Sequence, residues 1–436
     1  MLYSFLKITV RIATRIYYRD PLVLNYENVP QKVPLIIASN HPNALVDPCS
    51  IAVFSKQRIH FLARGDVFKN RFLYKLFVNQ LGMIPIFRLS EGAENLHKNE
   101  ETFRVSVEKL RKKKTILMFS EGLCVQERRL RKLKKGTARI FFNAEESSAW
   151  KLGLQVIPVG LNYTNPKKFR SNFVINYGKP IETKKFFELY RQDKAQGMNE
   201  FTKHLEVELS KLVHHIENPA NDTLVQSIEE ICGKNASGKA EKFVLSGNII
   251  KAINTLEKRN SEVLISFSEK VNNYFLNLEK IQTRDWVVKN ISDMRFHVFE
   301  LIANAFLLAI GFPIYIFGVI NNYFPYKIAN LFANKIVKSV EFYASVTLNI
   351  GWVLYFIFYP LQILVVALIF RNWWILSVYI VLLSFSGFFA LGYYEFLKKT
   401  FGQWNFFSLS KNNQDEIIRM RNEIATELKS KLNLEC

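Results

Sequence analysis

The sequence predicts an α/β domain on a mixed, mainly parallel sheet, followed by C-terminal transmembrane helices. Two observations carry this. From residue 21 to about 220, short apolar runs alternate with longer amphipathic stretches, and beyond residue 298 long apolar runs without charge take over. Strand alternating with helix is the pattern of a domain whose parallel strands are joined by crossover helices. An uncharged run of about 20 residues is long enough to cross about 30 Å of hydrocarbon at 1.5 Å per residue.

The elements follow in order. Residues 1–20 place Lys7, Arg11, Arg15 and Arg19 at every fourth position, with Leu2, Phe5, Leu6, Ile12 and Ile16 roughly opposite. Those cations leave no uninterrupted apolar core for a signal peptide. The pattern predicts an amphipathic helix lying in a membrane interface. Within 21–220, buried strands are predicted at 34–39, 59–63, 115–119, 154–159 and 172–177, and helices at 100–113 and 184–214. Residues 221–298 are polar and helix-periodic, and read as a helical linker or insertion. Inside them, Gly233 to Ala240 misses a phosphate-binding loop because Ala240 stands where a magnesium-binding hydroxyl is needed. A loop between helices is expected there.

Residues 299–395 form the transmembrane region, with apolar runs at 301–320, 346–370 and 373–394, and residues 396–436 a basic tail. Gly311-Phe312-Pro313 interrupts the first run, which is therefore expected to be re-entrant or interfacial, with the other two forming a spanning hairpin.

The chain carries 59 Lys and Arg against 38 Asp and Glu, a net charge of +21. That balance points to anionic partners. The apolar runs favour lipid, and the lack of a recognition motif argues against nucleic acid. Cys49, Cys124, Cys232 and Cys436 form no CxxC pair, so neither a zinc site nor a redox motif is expected, and reduced thiols are.

The chemistry concentrates where the strand at 34–39 runs into Asn40-His41-Pro42-Asn43-Ala44-Leu45-Val46-Asp47-Pro48. A His just past a strand end sits where open α/β sheets place their sites. Asp47-Pro48 reads as the cap and first residue of a helix over 48–55. His41 and Asp47 then lie at opposite ends of one short loop, suited to a dyad in which Asp orients the imidazole and His takes a proton from an alcohol. No Ser or Cys nucleophile stands out nearby, so attack would come directly from the acceptor hydroxyl.

Three further blocks follow in order: Gly82 to Arg88, Phe119-Ser120-Glu121-Gly122, and Val156-Ile157-Pro158-Val159. Together with the His/Asp block they resemble the glycerolipid acyltransferase superfamily, the lysophosphatidate and glycerol-3-phosphate acyltransferases. The resemblance covers residues 36–160. It implies His41 as general base and Asp47 as its orienting partner. Arg88 would hold the acceptor phosphate, with Asn43, Gly82, Glu121 and Gly122 lining the acceptor site and Pro158 bordering the acyl pocket. It further implies acyl-CoA or acyl carrier protein as co-substrate, a glycerol-phosphate acceptor, membrane lipids as surroundings, and no metal or bound cofactor. Backbone N–H groups near Gly122 would serve the oxyanion.

Two departures matter. The common spacing is His-x4-Asp, whereas here it is His-x5-Asp, which a loop can absorb and a continuous helix cannot. The FSEGLCV block also lacks the Arg that many relatives carry after the Gly; Arg128, Arg129, Arg131, Lys132, Lys134 and Lys135 are the nearest cations. Alternatives are dihydroxyacetone phosphate or another lysophospholipid as acceptor, or a non-catalytic lipid-binding scaffold that kept the fold.

Overall fold

The computed structural model describes residues 2–68, 70, 74–87, 99–233, 238–289 and 294–435. The chain divides into two units: 1–215 with 336–348, and 216–335 with 349–436.

The first unit is built on a seven-stranded sheet of order β1-β7-β6-β2-β5-β3-β4. The strands are β1 (Leu22–Leu24), β2 (Leu35–Ser39), β3 (Ile59–Arg64), β4 (Met83–Ile86), β5 (Thr115–Phe119), β6 (Gln155–Tyr163) and β7 (Phe173–Tyr177). All neighbours pair in parallel except β6 with β7. The short β1 and β4 were not among the expected strands; three or four residues are too few for a period to show.

Central β2 is buried along its whole length. Leu35 and Ile37 enter one core with Ile51, Leu117 and Ile157, while Ile36 and Ala38 enter a second with Ile116, Val156 and Phe141. That two-faced burial explains why the run is apolar without alternation. Helices α1 (Leu2–Tyr17) and α2 (Val46–Phe54) lie on the first face. Helices α3 (Asn99–Arg111), α4 (Gly136–Glu146), α5 (Lys185–Gln192) and α6 (Lys194–Ser210) cover the other. The stretch expected as one helix over 184–214 breaks at Asp193, whose side chain caps α6 by accepting from the N–H groups of Ala195 and Gln196.

Helix α1 packs on α2. Lys7 donates to the Ser55 carbonyl at 2.7 Å, and Arg11 lies over the Phe54 ring. The face turned outward is Phe5, Ile8, Ile12 and Ile16, between 36% and 62% exposed. Leu2 and Leu6, expected on that face, are half-buried.

The second unit contains α7 (Asp222–Cys232), α8 (Lys239–Arg259), α9 (Ser261–Lys280) and α10 (Asp285–Lys289). They share one core with the C-terminal α14 (Lys411–Leu432), through Ile228, Ile253, Phe267, Ile424 and Leu428. The buried Asp285 carboxylate accepts from Tyr274 and Arg421, tying α9, α10 and α14 together. Cys49 and Cys124 are free thiols, but Cys232 is disulfide-bonded, a departure from the expected reduced set.

Helices α11 (Met294–Ile336), α12 (Tyr343–Phe370) and α13 (Trp373–Phe407) contain three stretches long and apolar enough to cross a membrane. Their large apolar side chains, such as Phe306 and Trp374, stay exposed, which is tolerable in lipid rather than water.

Helix α11 does not break at Gly311-Phe312-Pro313, contrary to expectation. Gly311 instead lets α13 approach, for an added Cβ would lie 3.1 Å from the Tyr393 ring. Pro325, like Pro313, stands inside the helix, and it cannot donate to the Asn321 carbonyl four residues back. That carbonyl accepts from Gln362 of α12 at 3.0 Å, while the Asn321 and Asn322 side chains accept from Tyr379 of α13 and Tyr359 of α12. Unpaired polar groups are costly in hydrocarbon, so this cross-helix satisfaction is what permits the proline.

Candidate active site

The carboxyl edge of the parallel sheet gathers the chemistry. β2 delivers His41 and β5 delivers Glu121 to that edge, side by side because the two strands pair in register. The His41 Nδ1 atom lies 2.8 Å from Asp47 Oδ2. Asp47 is fully buried and accepts two further hydrogen bonds: from the Asn43 N–H at 2.7 Å on the same oxygen, and from the Tyr163 hydroxyl at 2.7 Å on Oδ1. Three donors around one carboxylate compensate its burial and fix its orientation. Phe119 stacks on the imidazole, centroids 3.8 Å apart and planes 10° from parallel. With plane and Nδ1 both held, Nε2 on the opposite ring edge is the nitrogen that could accept a proton.

Asp47 does not cap α2. The helix begins at Val46 with Leu45 at its cap position, and the carboxylate turns instead to His41. The extra residue of the His-x5-Asp spacing is absorbed at Ala44, which adopts a left-handed φ of 28°.

Glu121 is buried and accepts from the His41 N–H at 2.9 Å and the Arg131 N–H at 2.8 Å. Burial raises its carboxyl pKa, and the two backbone donors work against that rise. Its visible work is to hold the His41 backbone against the loop after β5. Gly122 has a left-handed φ of 70°, and its N–H bonds the Phe119 carbonyl at 3.1 Å. That N–H closes a turn and so is not a free oxyanion donor.

A catalytic-looking His/Asp pair alone would not name a family, but residues 21–162 match the acyltransferase family model. Residues 21–162 are an acyltransferase domain by that match. Over 128 residues it is 29% identical to glycerol-3-phosphate O-acyltransferase 2 of Saccharomyces cerevisiae, a stretch covering 29% of this chain and 17% of that protein. The chain thus matches less than a fifth of that relative's length. Among solved structures it aligns with the 1-acyl-sn-glycerophosphate acyltransferase PlsC of Thermotoga maritima. The match has 18% identity and a TM-score of 0.35, over 48% of this chain and 79% of that one.

Within the acyltransferase domain the other sequence-derived positions are scattered. Asn43 is buried; its Nδ2 donates to the Tyr18 hydroxyl at 2.7 Å, so it braces the loop from within. Gly82 precedes β4, at the opposite end of that strand from the site edge, and is not brought to His41. Its left-handed φ of 74° and lack of a side chain accommodate His60, whose ring would lie 2.9 Å from an added Cβ. Arg88 lies outside the described residues; β4, which leads to it, ends at Ile86 on the site edge. Pro158 lies inside β6 beside Ala38. Its carbonyl accepts from Gly178, so its missing N–H faces the same side, just beyond Val159 where the β6–β7 ladder ends. Of the basic run, Arg129 and Arg131 pair with Glu127.

Sequence reasoning missed Phe119 as a ring stacker and Tyr163 as the second partner of Asp47. Tyr163 was legible in principle. Val159, Leu161 and Tyr163 alternate onto one buried face of β6, and a buried Tyr needs a hydrogen-bond partner.

Proposed function

We propose that this chain is a membrane-bound O-acyltransferase that moves a fatty acyl group from acyl-CoA or acyl carrier protein to a hydroxyl of a phosphorylated glycerol, glycerol-3-phosphate or lysophosphatidate. The observation that carries the reading is the Asp47–His41 pair, 2.8 Å apart, on a domain of the acyltransferase family. His41 Nε2 takes the acceptor hydroxyl proton as that oxygen attacks the thioester carbonyl. The tetrahedral adduct collapses, the carbon–sulfur bond breaks, and the proton leaves with the thiol. The test is full-length protein in lipid nanodiscs with radiolabelled acyl-CoA or acyl carrier protein. The acceptors offered are glycerol-3-phosphate, dihydroxyacetone phosphate, lysophosphatidate and a second lysophospholipid. Ester formation on a phosphorylated acceptor is expected; no transfer to any of them would sink the reading.

Arg88 supplies the phosphate contact in this reading, because guanidinium meets phosphate as a bidentate fork and an ammonium does not. Arg88→Lys is therefore expected to raise the acceptor KM severalfold while leaving the donor KM in place. An unchanged acceptor KM in Arg88→Ala would remove Arg88 from the site.

The same reading puts the acyltransferase domain and the tail on one side of the membrane. No candidate span precedes Phe299 among the described residues, and in this reading the chain up to there stays on one side. Ala344 and Leu348, after α11, belong to the core of the first unit, and Phe406 to Leu434 share a core with residues 216–288. In this reading both ends of α11 and the basic tail lie on that side, so α11 does not cross, and α12 with α13 forms a spanning hairpin. The side is the cytosol, where acyl thioesters are made and where basic tails stay. The exposed Phe5, Ile8, Ile12 and Ile16 of α1 would lie in its lipid surface. Thiol labelling of single cysteines should find position 411 cytosolic and position 372 on the far side. A far-side label at 411 contradicts this topology.

A further inference from the structure

The loop that joins His41 to Asp47 is one residue longer than the usual spacing and is held at two backbone donors by side chains from elsewhere. Ala44 takes the extra residue at a left-handed φ of 28°, a conformation that costs an alanine about 1 kcal/mol unless its surroundings enforce it. Its N–H donates to Cys124 Sγ at 3.0 Å. Two residues on, Val46 begins α2, where the first-turn N–H groups have no partner within the helix. The Val46 N–H donates to Ser345 Oγ at 3.3 Å.

Ser345 is 4% exposed and stands in the first turn of α12, the helix that continues as the second candidate span. Its neighbours Ala344 and Leu348 are buried in the sheet's own core. Cys124 suits a fixed acceptor, because burial above all raises its thiol pKa far above the ordinary value and keeps it protonated. The nearby Asp47 charge pushes the same way.

We infer that Cys124 and Ser345 are positioning residues of the transfer reaction: together they clamp the lengthened loop so that Asp47 meets His41. The start of the second apolar helix is then part of the catalytic unit and not merely its anchor. Neither residue touches the reacting atoms; each acts through the register of Asp47. The inference rests on the acyltransferase reading above.

The test uses full-length protein in nanodiscs with the acceptor that wild type acylates best. Cys124→Ala and Ser345→Ala each remove one acceptor and are expected to lower kcat about fivefold, with donor and acceptor KM unchanged. Cys124→Ser and Ser345→Thr keep an acceptor and should recover most of the rate. The same alanine changes made on Asp47→Ala should cost less than twofold further, because the link they serve is then gone. A general loss of fold would instead multiply through both backgrounds and lower Tm in the alanine and rescue variants alike. Wild-type kcat in the Cys124→Ala/Ser345→Ala double variant overturns the inference, as does full multiplicativity on Asp47→Ala. An inactive wild type would instead count against the acyltransferase reading itself.

Discussion

His41→Ala lowers kcat by at least about two orders of magnitude, while the protein still folds and inserts. A glycerol hydroxyl is a weak nucleophile at neutral pH, and a positioned base contributes about 10²–10⁴-fold. No other imidazole is placed for that work among the described residues near the dyad. His60, on β3, is the nearest in sequence, but it is buried against Gly82 at the other edge of the sheet. Burial and the neighbouring Lys109 and Arg58 depress its pKa to about 4, which fits a packed neutral ring. The loss should fall on kcat with both KM values near wild type, since His41 contacts the proton in flight and not the bound groups. A folded His41→Ala protein turning over at the wild-type rate would place the base elsewhere.

Asp47→Asn should cost about 10–100-fold in kcat with little loss of Tm. The oxygen that meets His41 also accepts the Asn43 N–H, and the other oxygen faces the Tyr163 hydroxyl. An amide can place its oxygen toward the two N–H groups and its NH₂ toward Tyr163, whose hydroxyl can accept as well as donate. Orientation of the imidazole would survive. What disappears is the negative charge beside the imidazolium that forms as the proton transfers, and a hydrogen bond to a charged partner contributes about 1.5–3 kcal/mol. Asp47→Ala should be worse in a different way, because it strands three donors in a fully buried site and should also lower Tm. Wild-type kcat in Asp47→Asn would show that the carboxylate orients without stabilising charge.

By itself the sequence determined the fold class, five of the seven strands, the apolar character of the C-terminal helices, and the order of the four motif blocks. Those features are local: a buried strand must be apolar over its length, and a helix in lipid must be apolar all round. His41 and Asp47 were legible because both sit on one short loop past a strand end.

Only the tertiary structure decided what each motif residue touches. Asp47 looked like a helix cap, since Asp before Pro is a strong local signal, yet the closeness of His41, Asn43 and Tyr163 drew its carboxylate away. Gly82 stands in a motif block but serves the packing of His60. Helix α11 runs on through Gly311-Phe312-Pro313 and Pro325, and at Pro325 the carbonyl that loses its helical donor accepts from Gln362 of α12. Ser345 lies 299 residues along the chain from Val46, whose N–H it accepts. No period, spacing or composition carries such a pairing, since a hydrogen bond depends on where two atoms arrive after folding and not on where their residues stand in the chain.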